Sequence, residues 1–200
     1  MAQPKGLKDL YVAPITEDSA ENYTTGKPVR LMKAASVKTK LKYTNEPVYF
    51  DDVQDESDND FEEGTIEIEG DYLSRKIREM IRGHKNLGGM TAINADDKAK
   101  DVAIGYRTKL TNGLYKFYWW YRVNFGEEED EEAETIAKKG KRQNAKIKGT
   151  IIPRKKDRNI GVDADEMDLA DAGSAKEVLD GWFGQVQEPK SLGTEKKVSE

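Results

Sequence analysis

The stretch from Val102 to Phe125 constrains the fold more than any other part of the chain. Val102, Ile104, Tyr106, Thr108 and Leu110 recur at every second position. After a short break, Tyr115, Phe117, Trp119, Tyr121, Val123 and Phe125 do the same. A period of two marks a strand with one apolar face. Asn112-Gly113 lies between the two runs, and both residues tolerate positive φ. That predicts a two-residue type I′ turn and an antiparallel hairpin. A lone hairpin is marginal in water, so other strands must cover it.

Candidates for those strands run along the chain. Leu10 to Ile15 is one, followed by a polar loop over Thr16 to Gly26. A second extended region spans Lys27 to Lys42. In it Val37, Thr39, Leu41 and Tyr43 alternate with Ser36, Lys38, Lys40 and Lys42, which places the lysines on the solvent face. Pro47 to Phe50 is a short strand. Thr65 to Glu69 points Ile66 and Ile68 inward, and Ala145 to Pro153 is another strand. Between Phe50 and Thr65 lies an acidic run, Asp51 to Gly64, predicted as an extended, solvated loop because like charges repel and little in it can be buried.

Two helices are expected. Leu73, Ile77, Met80 and Ile81 share one helical face, with Asp71 as N-cap and Gly83 as stop. Ser174 and Glu177 form an S-x-x-E capping box ahead of Val178, Leu179, Trp182 and Phe183. Gly83 to Lys100, and the segment from the basic turn at Arg154 to Gly173, read as irregular. Short strands without a βαβ rhythm predict a mainly β fold, an antiparallel β-sandwich or barrel with a flanking α-helix and a short C-terminal helix. Charged and hydrophobic residues each make up 36% of the chain, too little apolar material for a second core. Residues 1–189 are therefore expected to form one domain, and 190–200 a flexible polar tail.

The residue types argue against catalysis. There is no cysteine, and the single histidine, His84, falls in a predicted loop without a nucleophile-elbow motif. Gly88-Gly89 lacks the phosphate-loop spacing. The acidic run places Glu62 and Glu63 at the closing position of an EF-hand loop but lacks the mid-loop glycine. No enzyme activity and no cofactor or metal are expected. The net charge of −5 disfavours a DNA-coating role. The opening segment has no apolar core of a secretion signal, and no run approaches the ~18 apolar residues of a membrane span. A soluble protein without membrane contact, made in the cytoplasm, is expected.

Interaction surfaces are the remaining candidates. On the alternation above, Trp119 faces the core, whereas Trp120 shares the opposite face with Tyr118 and Arg122, a composition typical of protein interfaces. A second acidic run, Glu127 to Glu134, precedes a basic patch, Lys138 to Arg142, in which Lys139 and Arg142 can pair with acidic groups of a neighbouring subunit.

Several segments, in order, resemble the major tail (tail tube) proteins of long-tailed phages of Gram-positive bacteria. KGLKDLYVAPIT and KPVRLMKAASV resemble the opening strands. VYFDD, residues 48–52, is similar to the aromatic-then-acidic segment before the long loop of that family. FEEGTIEIEGDYLSRKIREMIRG resembles its strand leading into a packed helix, VAIGYRTKLTNGLYKFYWWYRVNF its hairpin, and DGWFGQVQEP its closing motif. The heavy acidic run at Glu127 to Glu134 departs from the pattern. The resemblance implies the tail tube fold and hexameric rings stacked into a hollow tube in the virion tail. It also implies tape measure, tail terminator and distal tail proteins as partners, and DNA passing through the lumen without specific binding. Inter-subunit or inter-ring contacts are then expected at Tyr49, Phe50, Asp51, Asp52, Phe61, Tyr118, Trp120, Arg122, Lys139 and Arg142. The other reading is a monomeric head–tail adaptor or similar virion binding module that uses the Trp120 face.

Overall fold

The computed structural model describes residues 3–50, 53–130, 144–171 and 179–189, with backbone only for 45–50, 53–59, 127–130 and 169–171. The strands are β1 (Pro4–Asp18), β2 (Tyr23–Thr25), β3 (Val29–Arg30), β4 (Ala34–Phe50), β5 (Val53–Gly70), β6 (Lys85–Leu87), β7 (Met90–Ala92), β8 (Val102–Leu110), β9 (Tyr115–Asp130), β10 (Ala145–Ile151) and β11 (Gly161–Asp165). Helix α1 is Arg75–Arg82 and α2 is Glu166–Asp171. Nine strands join one antiparallel sheet in the order β2-β1-β8-β9-β10-β5-β4, with β3 added to β1 and β11 to β9. The pair β6–β7 stands apart. The architecture is thus mainly β with antiparallel sheets and flanking helices. The sheet curls until β1 lies against β4, yet no backbone ladder joins those two strands.

Curling lets one sheet enclose a core. Leu10 and Val12 of β1, Ile66 and Ile68 of β5, Val102 and Ile104 of β8, Val123 and Phe125 of β9 and Ile147 of β10 meet Leu73, Ile77 and Ile81 at α1. The predicted inward face of β5 is therefore buried as expected, and so is the predicted helix face. A second cluster lies on the other face of β1, β8 and β9. It comprises Ala13, Tyr23, Ala103, Phe117, Trp119, Tyr121 and Trp182, with Phe183 and Leu179 against it. Gly105 is required there, because a Cβ would meet the Trp119 indole at 2.7 Å.

This two-sided burial corrects the reading of the central hairpin. Strand β9 is not apolar on one face only. Val102 pairs with Val123 but Ile104 with Trp120, so β9 carries one extra residue, a β-bulge around Tyr121 and Arg122. The bulge shifts the alternation. Phe117, Trp119 and Tyr121 enter the second cluster, while Val123 and Phe125 enter the first. The turn also differs from type I′. The Gly113 N–H donates to the Leu110 carbonyl at 3.0 Å, and the Leu110 N–H donates to the Leu114 carbonyl at 2.8 Å. Gly113 is left-handed at φ 91°, whereas Asn112 is not. That is a three-residue loop closed by a glycine bulge.

Other expectations change similarly. The run Asp51 to Gly64 is not a free loop: from Val53 it is the first part of β5, paired with β4 from Phe50↔Val53 to Ala34↔Gly70. Alternating acids exclude a core face but leave the backbone ladder intact. Asp71 does not cap α1. Its Oδ1 accepts the N–H groups of Lys33 (2.9 Å) and Tyr72 (2.8 Å), which holds its carboxyl below the ordinary range. Ser74 occupies the N-cap position without a side-chain bond, and Gly83 ends the helix at φ 79°. The expected loops contain β2, the β6–β7 pair, β11 and α2. Their strands are only three to five residues long, too short for periodicity to reveal. The expected C-terminal helix is seen as a helical turn at 179–181; Ser174, Glu177, Lys138 to Arg142 and the tail 190–200 lie outside the described residues.

Candidate assembly surfaces

The β4–β5 hairpin has two parts. At its base, Gly64 to Gly70 pairs with β10 on one side and β4 on the other. Ile66 and Ile68 face the core, while Lys38, Glu67 and Lys148 form a cross-strand row on the outer face. From Lys42↔Glu63 outward, β4 and β5 pair, among the described residues, only with each other. This arm carries Phe61, whose ring meets Tyr43 edge-on at 5.7 Å, although Tyr43 is 51% exposed. The Lys42 ammonium donates to Glu62 at 2.8 Å; that bond holds the Glu62 carboxyl low and the Lys42 ammonium high. Tyr49 and Phe50 lie at the far end of β4, opposite Gln54 and Val53. Asp51 and Asp52 lie outside the described residues, as do Lys139 and Arg142.

The three expected contact residues on β9 are not a free outer face. Tyr118 stacks on Tyr106 with centroids 4.8 Å apart, and burial raises its phenol pKa. Trp120 is half-buried against the main cluster. Arg122 gives its Nε to Asp101 at 2.7 Å and lies 3.3 Å from Asp18; Asn124 completes the group by donating to Asp101 at 2.6 Å. The structure therefore brings Tyr118, Trp120 and Arg122 onto one strand but turns much of their surface inward. Strand β10 separates them from the arm.

The residue that sequence reasoning missed is Arg154, which reads only as the start of a basic turn. It is 2% exposed. Its guanidinium lies 4.1 Å from the Tyr121 ring centroid and 4.9 Å from that of Tyr23. Its Nε and Nη2 donate to Asp157 at 2.7 and 2.6 Å, and its Nη1 to Glu188 at 2.7 Å. Burial alone would lower the arginine pKa; the Asp157 bonds and the Glu188 charge more than offset this and raise it. The same bonds bring the Asp157 carboxyl down to about 2. Burial pushes the Tyr23 and Tyr121 phenols up, against the opposing pull of Arg154. The Tyr121 hydroxyl donates to the Gln187 carbonyl at 3.1 Å, and Trp119 Nε1 to the Trp182 carbonyl at 3.1 Å. Together these bonds clamp the closing segment onto the sheet. An Arg–Asp pair three residues apart was a visible signal; Glu188, 34 residues away, was not.

His84 lies in the loop just after α1, as expected, but is buried there, with its Nδ1 2.9 Å from Asp97 Oδ2. Asp97 also accepts the Asn94 N–H at 2.9 Å, an arrangement that braces the chain between α1 and β8. Among the described residues, no group of three or more His, Asp or Glu side chains could hold a metal ion, and no helix is long and apolar enough to cross a membrane. The chain matches no protein-family model and no curated protein.

Proposed function

We propose that the chain is a structural subunit that self-assembles into stacked rings, forming a phage tail tube around which the virion tail is built and through which DNA leaves. The observation that carries the reading is the arm. Two strands extend past the last core contact, paired among the described residues only with each other, and rich in carboxylates. A two-stranded hairpin has little stability of its own, so an arm of this length calls for surroundings that a single copy does not supply. Adjacent copies in a ring or stack supply them. The curled sheet gives a second support: β1 and β4 lie against each other without a backbone ladder, so the edges of β4 and of the first half of β1 stay unpaired, among the described residues, within one copy. Edges of this kind are templates for pairing with another chain, and pairing of unlike edges closes into a ring when the rotation allows. In this reading the tail tube fold, a β-sandwich or barrel, is completed between six copies rather than within one.

Negative-stain electron microscopy of the purified protein over a range of concentrations tests the proposal. Rings or hollow tubes are expected. Small single particles at every concentration would favour the monomeric adaptor instead.

A further inference from the structure

We infer that the open end of the β1–β8 pair is a basic socket for the acidic arm of a second copy of this chain, a contact that rests on the assembly proposed above. The socket is built by a bulge. Pro4 pairs with Leu110 but Gly6 with Lys109, so Lys5 is an extra residue in β1. Strict alternation would put Lys5 and Lys8 on opposite faces; a bulge re-aims a side chain, and Lys5, Lys8 and Lys109 line one shallow cavity with no carboxylate in its wall. Gln3 fixes the rim, its N–H donating to Thr111 Oγ1 at 3.1 Å while its carbonyl accepts the Thr111 N–H at 2.9 Å.

These lysines have no ion-pair partner among the described residues; Lys8 lies 5.9 Å from the Tyr115 ring centroid. The nearby carboxylates are engaged elsewhere. Asp9 pairs with Arg107 and Arg30, and Glu166 accepts the Tyr115 N–H at 2.8 Å. Among the described residues, no ladder covers the outer edge of β1 before Leu10: β2 and β3 pair with it only from Tyr11 onward, and β4 lies against it without pairing.

The arm is the complementary partner. Between Tyr43 and Glu63 the sequence holds nine carboxylates and no lysine or arginine. Its placement also fits. Gly64, Ile151, Val123, Val102 and Pro14 form one row across the sheet. Arm and socket lie on the same side of that row, and the curl that sets β1 against β4 brings both to one end of the molecule. A second copy packed against that end brings its arm to the socket. The contact joins unlike surfaces and can repeat around a ring. A nucleic acid would be held by the same lysines, but the net charge of −5 and the adjacent acidic arm oppose it.

Charge exchange tests the contact, read by sedimentation velocity of the full chain, with thermal melts confirming that each variant folds. One variant carries Lys5→Glu, Lys8→Glu and Lys109→Glu; the other carries Asp58→Lys, Asp60→Lys and Glu63→Lys. Each alone is expected to raise the concentration needed for association by about tenfold or more. An equimolar mixture regains association, because each variant's arm matches the other's socket. High salt weakens the wild-type contact. Wild-type association by either variant alone would overturn the inference and leave the tube proposal standing. Loss of duplex DNA retention by the lysine variant, with association unchanged, would assign the socket to nucleic acid and also overturn it. A wild-type chain that stays monomeric at every concentration would remove the assembly proposal and this contact together.

Discussion

The base and the arm of the β4–β5 hairpin share one ladder but follow different rules. At the base, Ile66 and Ile68 of β5 alternate into the core; in the arm, acids fill both alternations and the only described ring contact is Tyr43 on Phe61. The hydrogen bonds are similar, so they do not distinguish the two parts. Burial does. A backbone ladder in water gains little over bonds to solvent, whereas an apolar side chain removed from water contributes about 1.5–3 kcal/mol. The base is held by the fold; the arm depends on what it meets.

Substitutions sharpen that contrast. Trp119→Ala, in the fully buried second cluster, is expected to cost about 3–5 kcal/mol in urea unfolding. Ile68→Ala at the base should cost about 2–5 kcal/mol, and Phe61→Ala in the arm about 1 kcal/mol or less. Equal losses at 68 and 61 would erase the distinction. Arg154→Met removes the clamp on the closing segment and is expected to cost about 3 kcal/mol. This variant carries a pH signature. The Asp157 carboxyl sits at about 2 in the fold against about 3.9 when unfolded. Its contribution is fully present above the unfolded value and is lost as pH falls through about 2. The wild type should therefore weaken between about pH 4 and pH 2 more steeply than Arg154→Met, as chemical denaturation at several pH values would show.

Much of the fold was legible from side-chain alternation. The central strands, the inward isoleucines of β5, the helix face and its Gly83 stop all follow from local rules. What escaped depended on long-range partners. The bulge at Tyr121 and Arg122 left both faces of β9 apolar, and an unbroken aromatic run cannot say which rings go to which side. That is why Trp120, expected outward, is half-buried. The acidic segment was read by what it cannot bury, and its backbone pairing with β4 carries no side-chain signature. Arg154 reads as one member of a basic turn, because Tyr23, Tyr121 and Glu188 reach it only through tertiary folding. Of the residues proposed to make contacts, sequence placed Tyr49, Phe50 and Phe61 together on an extended segment, and the structure keeps them on one arm. It does not add Tyr118, Trp120 or Arg122 to that arm.

Hydrogen exchange of the backbone amides on the arm, in dilute and in associated protein, tests the central claim most directly. Slow exchange at Ile66 to Ile68 in both states, with fast exchange over Tyr43–Phe50 and Val53–Glu63 in the dilute state that slows on association, is the predicted result. An arm equally protected in the dilute monomer, or still unprotected after association, would contradict the claim that neighbouring copies complete it.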